Sequence, residues 1–427
     1  MSLHIRNARV LTLIPGGGPA GGARPRRGAA LRDLGVIAHG DVLVDAGKIS
    51  AVGPALQAPA DAEVLEANGR VLMPGFVDCH TQACWAGDRL NEWEAELEGG
   101  PGRAQPQTDA GLPIIMGAVR AATRKQLAAY LRERLETMLR GGTTTIEVKS
   151  GFGLTTEAEL KMLRAIQRTA HEWPGTVVPT ALLGQGVEGA DEDHVKMVLK
   201  EMLPAVSQEF PGITVDACCD EGAWPVEPCG RLLERARKRS HPIRVQADRF
   251  RSLGMVPEAL RLGVTSISHL EASTKADLTL LAQSHAMGVI LPGTGFHAGR
   301  RQARAGFFVD TGGALALATG CNPISAPLQS MPFALALAVR SCGLTPAEAI
   351  VAGTVNAAAA LGFTDRGTIE PGQRADLILL HHRDERMLAY EVGGNPVDLV
   401  ICGGVPIPPR PAVPSRPAAE VQSPVGA

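Results

Sequence analysis

Aromatic side chains are scarce in this sequence, and neither sign of charge dominates. Phenylalanine, tryptophan and tyrosine make up 4% of the chain, and 44 acidic residues stand against 42 lysines and arginines, giving a formal net charge of −2. Proteins that bind nucleic acid need a basic surface, commonly with aromatic rings on which bases stack. The composition therefore argues against a nucleic-acid partner and favours a small-molecule ligand.

Long apolar runs and paired cysteines are also missing. No stretch reaches the roughly eighteen consecutive apolar residues that indicate a membrane-spanning helix, and the opening MSLHIRNARVLTLIPGGG has too short an apolar run for a secretory signal. The eight cysteines are scattered without a CxxC pair, which is typical of reduced thiols rather than of a disulfide framework. We expect a soluble, cytoplasmic protein with no membrane partner.

Two segments lack the apolar periodicity of packed structure. Residues 15–35 are rich in glycine, proline, alanine and arginine, and residues 406–427 are rich in proline. Such compositions bury too little apolar surface to offset the entropy lost on ordering. We predict a mobile surface insertion at 15–35 and a disordered tail at 406–427.

Strand and helix patterns alternate along the middle of the chain. Short apolar runs typical of buried strands are separated by amphipathic helical patterns, several of which end at a glycine. The predicted strands cover 75–80, 143–150, 176–183, 213–219, 242–248, 265–270, 288–293 and 314–320. Eight parallel strands with crossover helices predict a (β/α)8 barrel of the TIM type over 71–362.

The two flanks of the predicted barrel have a different pattern. Short strands joined by glycine turns occur in 1–70 and again in 363–405. We interpret them as a small β-sandwich that is assembled from both chain ends.

Polar residues gather where the predicted strands end. In a barrel of this type the chemistry lies at the carboxyl ends of the strands, and side chains two apart on a strand point the same way. We therefore expect one group of side chains at the barrel mouth to include His80, Gln82, Gln246, Asp248, His269 and Gly320.

Several stretches resemble one enzyme family over nearly the whole chain. They include MPGFVDCHT, WAGDRLNEWE, GGTTTIEVKSGFGLTTEAELKMLR, ATGCNP and TVNAAAALGFTDRGTIEPGQRADLILL. The sequence is similar to the imidazolonepropionases, which belong to the amidohydrolase superfamily. The run GTTTIEVKSGFGL, followed by AELKMLR, is characteristic of this family.

The resemblance implies a zinc or iron ion whose bound water opens the ring of 4-imidazolone-5-propanoate, giving N-formimino-L-glutamate in histidine degradation. The family holds that metal with a histidine pair on the first strand, a histidine on the fifth and an aspartate on the eighth. Only the first ligand is kept, as His80; Gln82, Gln246 and Gly320 occupy the other positions. Amide oxygens are weak donors to these ions, so we expect the metal to be absent or weakly bound.

The family's substrate pocket is altered as well. By resemblance, Arg89 would bind the substrate carboxylate and Phe152 replaces a tyrosine. Gly186 replaces a pocket histidine, and Arg249 replaces a glutamate or glutamine. Ile324 replaces a glycine of the family. Two pocket residues of the family are kept, the histidine His269 and the asparagine Asn322.

Simpler interpretations stand beside these functional ones. His80 and His269 can be structural histidines with satisfied hydrogen bonds, and Arg89 can be a salt-bridged surface residue. Cysteines next to the site, Cys79 and Cys321, are expected to point away from it and to be inert. Alternatively, Asp248 can join His80 and His269 in a poor three-ligand metal site, with Asp248 and His269 in catalytic roles.

Three hypotheses about function remain. In the first, the chain is an imidazolonepropionase homologue that is impaired or inactive in the metal-dependent reaction. In the second, it is an active cyclic-amide hydrolase with a rearranged or metal-free site. In the third, it is a non-catalytic protein that binds a small carboxylate or a partner protein. A homodimer is expected only by analogy with the family.

Overall fold

A computed structural model of the chain describes residues 2–17, 24–98, 111–186 and 191–408. The proline-rich tail from 409 onward and residues 18–23 of the predicted insertion lie outside the described residues. The strands are β1 Ser2–Leu11, β2 Val36–Asp45, β3 Lys48–Gly53, β4 Glu63–Glu66, β5 Val71–Pro74, β6 Phe76–Asp78, β7 Thr143–Lys149, β8 Thr176–Gly184, β9 Thr214–Cys219, β10 Ile243–Ala247, β11 Ser266–His269, β12 Met287–Ile290, β13 Leu315–Leu317, β14 Leu377–Leu380, β15 Val397–Cys402 and β16 Val405–Pro406.

Helices connect most of these strands. The α-helices are α1 Leu90–Glu98, α2 Leu112–Ala121, α3 Arg124–Arg140, α4 Thr156–Glu172, α5 Glu192–Met197, α6 Leu203–Glu209, α7 Val226–Lys238, α8 Met255–Leu262, α9 Lys275–Ala282, α10 Pro292–His297, α11 Ala305–Asp310, α12 Met331–Ser341, α13 Pro346–Val351, α14 Ala357–Ala360 and α15 Met387–Tyr390. Short 3₁₀ turns at Pro15–Gly17 and Gly28–Arg32, and π turns at Val198–Met202 and Ala352–Asn356, complete the helical structure of the described residues. None of the helices described is long and apolar enough to cross a membrane.

The predicted barrel is confirmed. Strands β6 to β13 lie side by side in chain order and pair in parallel, each strand except the last with the next. Every residue of β7 is buried, as expected for a strand covered by helices on one face and by the barrel interior on the other. Amphipathic helices such as α4 and α7 bury their apolar side chains against the strands.

Backbone bonds just beyond the strand ends join the first and last strands. The amide of Gly320 donates to the carbonyl of His80 at 3.1 Å, and the amide of Gln82 donates to the carbonyl of Cys321 at 2.8 Å. The buried carboxyl of Asp78 accepts the backbone amide and the hydroxyl of Thr319. These contacts place the ends of β6 and β13 together at the barrel mouth.

The second sheet combines both chain ends, as predicted. Its strand order is β16-β15-β14-β5-β1-β2-β3, and β4 pairs with β1. Strand β14 joins the two ends by pairing antiparallel with β5, where Ile378 lies opposite Met73. This sheet has its own apolar core, which includes Leu3, Ile5, Val42, Leu377 and Ile401.

The structure corrects the prediction of a mobile insertion for residues 24–35. Leu31 is fully buried there, and the side chain of Asn356 bonds both the amide and the carbonyl of Arg26, at 2.7 and 2.9 Å. The Arg27 guanidinium donates to two backbone carbonyls, and Arg32 pairs with the buried Glu348 at 2.8 Å. The arginines, whose presence contributed to the prediction of a solvated segment, attach this segment to the barrel.

Replacing Asn356 by alanine tests this attachment. The change leaves buried backbone groups of Arg26 and Leu315 without partners, so the free energy of unfolding is expected to fall by about 2–4 kcal/mol. Trypsin should then cut first after Arg26 or Arg27, as measured by mass spectrometry of the early fragments. The control Asn395→Ala removes an exposed bond to a carbonyl and a local, part-buried bond from the amide of Val397, so it should cost less than Asn356→Ala and leave the early cleavage sites unchanged. An unchanged cleavage pattern in Asn356→Ala would contradict the described packing.

Candidate binding site at the barrel mouth

A cavity opens at the carboxyl ends of the barrel strands, and its empty space, counted together with its solvent-open mouth, is about 350 Å³. The structure brings together there most of the residues that the strand-end rule selected, together with several neighbours. The lining consists of His80, Gln82, Gln185, Cys218, Gln246, Arg249, His269, Leu291, Gly320, Asn322, Ile324 and Ser325. The cavity is therefore built mainly from neutral hydrogen-bonding groups, with one guanidinium.

The two histidines lie beside each other in the cavity wall. Their ring centroids are 5.9 Å apart and the rings are nearly perpendicular. His80 Nδ1 lies 3.0 Å from the hydroxyl of Ser268, and His269 Nδ1 lies 3.3 Å from a carboxylate oxygen of Glu271. Burial, followed by the nearby charge of Lys149, holds the pKa of His80 well below its usual value. His80 is thus a neutral imidazole at physiological pH.

Both amides at the family's metal-ligand positions make side-chain hydrogen bonds. Gln82 donates through Nε2 to Oε1 of Gln185 at 3.0 Å, and Gln246 donates through Nε2 to Oδ2 of Asp216 at 3.2 Å. All four side chains are buried. A buried amide that has found a partner is costly to unpair, so these bonds fix both glutamines within the wall of the cavity.

A buried charge network lies beneath Gln246 in the barrel interior. The ammonium of Lys149 contacts Glu147 at 2.7 Å and Asp216 at 2.9 Å. Arg244 contacts the other oxygen of Glu147 at 2.6 Å. Two cations therefore balance two carboxylates, and Asp216 serves both Lys149 and the amide of Gln246. Removing one charge would leave another buried without its partner, which is strongly destabilising.

Gly320 and Asn322 shape the wall formed by the last strand. Gly320 has a φ of +67°, and a β-carbon there would lie 3.3 Å from that of Leu291. The side chain of Asn322 accepts the amides of Ile324 and Ser325 at 2.8 Å each and donates to the carbonyl of Gly320. Asn322 thus holds the loop in its shape through local bonds, as turn asparagines commonly do.

Three of the predicted pocket residues do not line the cavity. Arg89 is buried and donates to the carbonyl of the lining residue Ile324 at 3.0 Å, but does not itself line the cavity. Phe152 is fully buried in the apolar core. A β-carbon on Gly186 would lie 2.9 Å from the backbone of Ala223, so a larger side chain there needs a backbone shift.

The structure does not bring Asp248 into the cavity beside His80 and His269, the partners of the alternative three-ligand site. Strand β10 ends at Ala247, and Asp248 has a φ of +61°, so the alternation of side chains along the strand does not extend to it. Its carboxyl accepts the hydroxyl of Ser273 at 2.7 Å, and burial raises its pKa to about 6. The described residues contain no group of three histidine, cysteine or acidic side chains that can hold a metal ion.

The donor set does not fit the metal that the family implies. His80 is the sole histidine of the four ligand positions; two others carry amides with hydrogen-bond partners, and Gly320 supplies no donor. Zinc and iron prefer imidazole, thiolate and carboxylate. Cys79 and Cys321, next to the first and last ligand positions, are buried and do not line the cavity.

Four lining residues escaped the sequence analysis. They are Gln185, Cys218, Leu291 and Ser325. Gln185 directly follows β8 and Cys218 lies near the end of β9, so applying the strand-end rule to every strand would have found both. Ser325 lies in a loop whose position depends on Asn322, and no sequence pattern indicated it.

Comparison with known proteins gives the family. The amidohydrolase family profile matches residues 71–407. A Deinococcus radiodurans protein named imidazolonepropionase is 41% identical, with 89% of this chain and 95% of that one covered. A Geobacillus kaustophilus protein of the same name is 33% identical, with 94% of this chain and 97% of that one covered.

Solved structures share the fold at low sequence identity. The N-isopropylammelide isopropylaminohydrolase of Burkholderia multivorans gives a TM-score of 0.68 at 20% identity, with 95% of this chain and 98% of that one covered. A triazine hydrolase from Arthobacter aurescens gives a TM-score of 0.70 at 17% identity, with 95% of this chain and 94% of that one covered. These structures show the shared fold, and the family profile and sequence relatives above show that the chain belongs to the amidohydrolase family and, within it, to the imidazolonepropionases.

Proposed function

We propose that the chain is a non-hydrolytic member of its family that binds a small organic anion at the barrel mouth. The observation that carries this proposal is the state of the two glutamines at metal-ligand positions. Gln82 and Gln246 are bonded to Gln185 and Asp216, so each amide belongs to the cavity wall. These bonds use the amide nitrogens, and the carbonyl oxygens that remain are only weak donors to zinc or iron.

The cavity offers recognition in place of metal chemistry. Amides and imidazoles can donate to and accept from a polar ring or amide group of a ligand. The guanidinium of Arg249, which lines the cavity, suits a carboxylate because it can donate two parallel hydrogen bonds. The expected ligand is thus a small carboxylate with further polar groups.

One observation favours a second candidate, a weak metal-free hydrolase that keeps the family's ring opening. Glu271 contacts Nδ1 of His269, which leaves Nε2 as a base for a water molecule. His269 would take a proton from the water as it attacks the ring carbonyl. It would return that proton to the ring nitrogen when the carbon–nitrogen bond breaks. Without a Lewis acid this reaction lacks its strongest contribution to the rate.

The metal prediction compares the parent with restored ligands. The parent should purify with far less than one zinc or iron per chain. The triple variant Gln82→His, Gln246→His, Gly320→Asp should bind about one metal ion per chain, because it adds two imidazoles and a carboxylate to His80. Asp216 could then orient the new imidazole at 246. Elemental analysis gives the stoichiometry.

A matched control tests how much the carboxylate at position 320 contributes to metal binding. The variant Gln82→His, Gln246→His, Gly320→Ala carries the same β-carbon at a φ of +67° but no oxygen donor, so it should hold metal more weakly than the restored triple variant. Near-stoichiometric, chelator-resistant metal in the parent would contradict the proposed function.

Ligand binding is expected to need Arg249. The probe 3-(imidazol-4-yl)propanoate, at ten times its dissociation constant, should stabilise the parent by about 1.4 kcal/mol through mass action, measured as a rise in Tm. Arg249→Gln should remove the rise, and the remote surface variant Arg261→Gln should keep it. If Arg89→Gln alone removes the rise, the carboxylate is held by Arg89, as the family resemblance implies. No rise with this probe in the parent would count against the proposal.

Turnover decides between binding and weak hydrolysis. We expect no formation of N-formimino-L-glutamate from imidazolonepropanoate above the uncatalysed rate, because neither a metal nor a second acid acts on the ring carbonyl. A rate that falls to background in His269→Asn and persists with chelator would establish the metal-free hydrolase instead. Product is measured by mass spectrometry, with Asp248→Asn as the control for the carboxyl that lies outside the cavity.

A further inference from the structure

A groove lined mainly by apolar residues lies between the start of α12 and the segment that leads into β15. Its empty space, counted together with its solvent-open mouth, is about 280 Å³. The lining consists of Pro332, Phe333, Glu391, Val392, Gly393, Gly394 and Pro396. We refer to these residues as the α12 groove. It shares no lining residue with the cavity at the barrel mouth.

Exposed aromatic side chains adjoin the α12 groove, although aromatic residues make up only 4% of the chain. The ring of Phe333 packs edge-on against that of Phe296, with centroids 5.5 Å apart, and Phe296 is 58% exposed. Tyr390, which directly precedes the groove residue Glu391, is 75% exposed. Grooves lined by aromatic and apolar side chains are typical binding sites for extended, proline-rich segments.

The chain leaves its last described strand in the direction of this groove. Strand β16 runs antiparallel to β15, with Pro406 opposite Ile401, and the amide of Ile407 donates to the carbonyl of Val400 at 2.8 Å. The residues after Ile407 therefore continue toward the start of β15, which directly follows the groove residue Pro396. Four further extended residues, each about 3.1–3.3 Å long, are enough to reach the level of Pro396.

The sequence that follows repeats proline at every third position. Proline occurs at 408, 411, 414 and 417, while positions 410, 413 and 416 carry arginine, valine and arginine. A polyproline II helix has three residues per turn, so in that conformation the four prolines share one edge and the two arginines share another. A composition that cannot build a packed core can therefore still bind as a preformed extended segment.

The charges of the two segments are complementary. Glu391 is the charged residue of the α12 groove, and its side chain is 52% exposed although it contacts Nε2 of His382 at 3.0 Å. Residues 408–417 include Arg410 and Arg416 and no acidic residue. A guanidinium can share an exposed carboxylate through charge-assisted hydrogen bonds.

We propose that residues 408–417 bind in the α12 groove of the same chain as a polyproline II helix, with prolines against Phe333 and Val392 and an arginine at Glu391. A short flexible connection gives two linked partners an effective concentration in about the millimolar range. A groove that holds a free peptide only weakly can therefore hold its own tail. Because this surface is separate from the barrel mouth, the proposal does not depend on the proposed function.

Crosslinking from the tail of the full chain locates its binding site. All eight native cysteines are buried, so Ser415→Cys adds a single accessible thiol that can be labelled with a benzophenone maleimide. Irradiation should crosslink position 415 mainly to peptides that contain residues 331–333 or 390–396, identified by mass spectrometry. In a mixture of nitrogen-15 and unlabelled chains, the crosslinked peptides should carry one isotope each, because the groove and the tail belong to the same chain.

A pair of valine variants tests the groove. Val392→Lys removes an apolar contact and places a cation beside the tail arginines, so the crosslink yield should fall about five-fold. Val64→Lys on β4 is the matched control, because both valines are 53% exposed and Val64 does not line the groove. It should leave the yield unchanged.

Variants of the tail test the repeat without altering the folded part of the chain. The triple variant Pro411→Ser, Pro414→Ser, Pro417→Ser keeps both arginines and removes the preformed conformation, so its crosslink yield should also fall. The control Pro424→Ser changes a proline outside the three-residue repeat and should behave like the parent.

Three results would overturn the proposal. The first is a set of crosslinks scattered over the surface, and the second is a yield that neither Val392→Lys nor the triple proline variant lowers. The third is a crosslinked pair that combines the two isotopes, which would mean that the tail occupies the groove of a second copy.

Discussion

The interior of the barrel contains charged side chains that are buried and lie against partners of opposite charge. Lys149 and Arg244 stand against Glu147 and Asp216 within contacts of 2.6–2.9 Å, on strands β7, β9 and β10. Because an unpaired buried charge costs far more than a paired one, residues next to this network cannot freely gain or lose charge. Gln246 is compatible with this limit because it is neutral. It bonds to Asp216 without displacing Lys149 from that carboxylate.

The positions at which the family resemblance implies metal ligands form an ordered wall. A cavity that has merely lost its ligands would contain polar groups without partners, whereas Gln82 and Gln246 both donate to buried acceptors. Asn322 keeps the loop after β13 in place. Local bonds agree with the global fold at each of these points, which is how a sequence specifies one structure.

Regular structure could be predicted from the sequence because it follows periodic patterns, and the eight barrel strands are examples. The strand-end rule also placed His80, Gln82 and Gln246 correctly in the cavity. It failed for Asp248, where a left-handed backbone redirects the side chain, and the loop contact made by Arg89 had no periodic signal. The order of residues 24–35 depends on Asn356, more than three hundred positions away, and composition carries no information about such a partner.

The pairing of β5 with β14 has a consequence for synthesis. Strand β5 precedes the barrel in the sequence, and its neighbour β14 follows the barrel. In the nascent chain, β1, β2 and β5 are therefore synthesised before the barrel, and their sheet can be completed only after it. An edge strand exposed for that time can pair with another chain. The sequence places Pro74 at the end of β5, and proline offers no amide to such a partner. The edge of β5 can thus be covered by its own partner only after β14 has been synthesised.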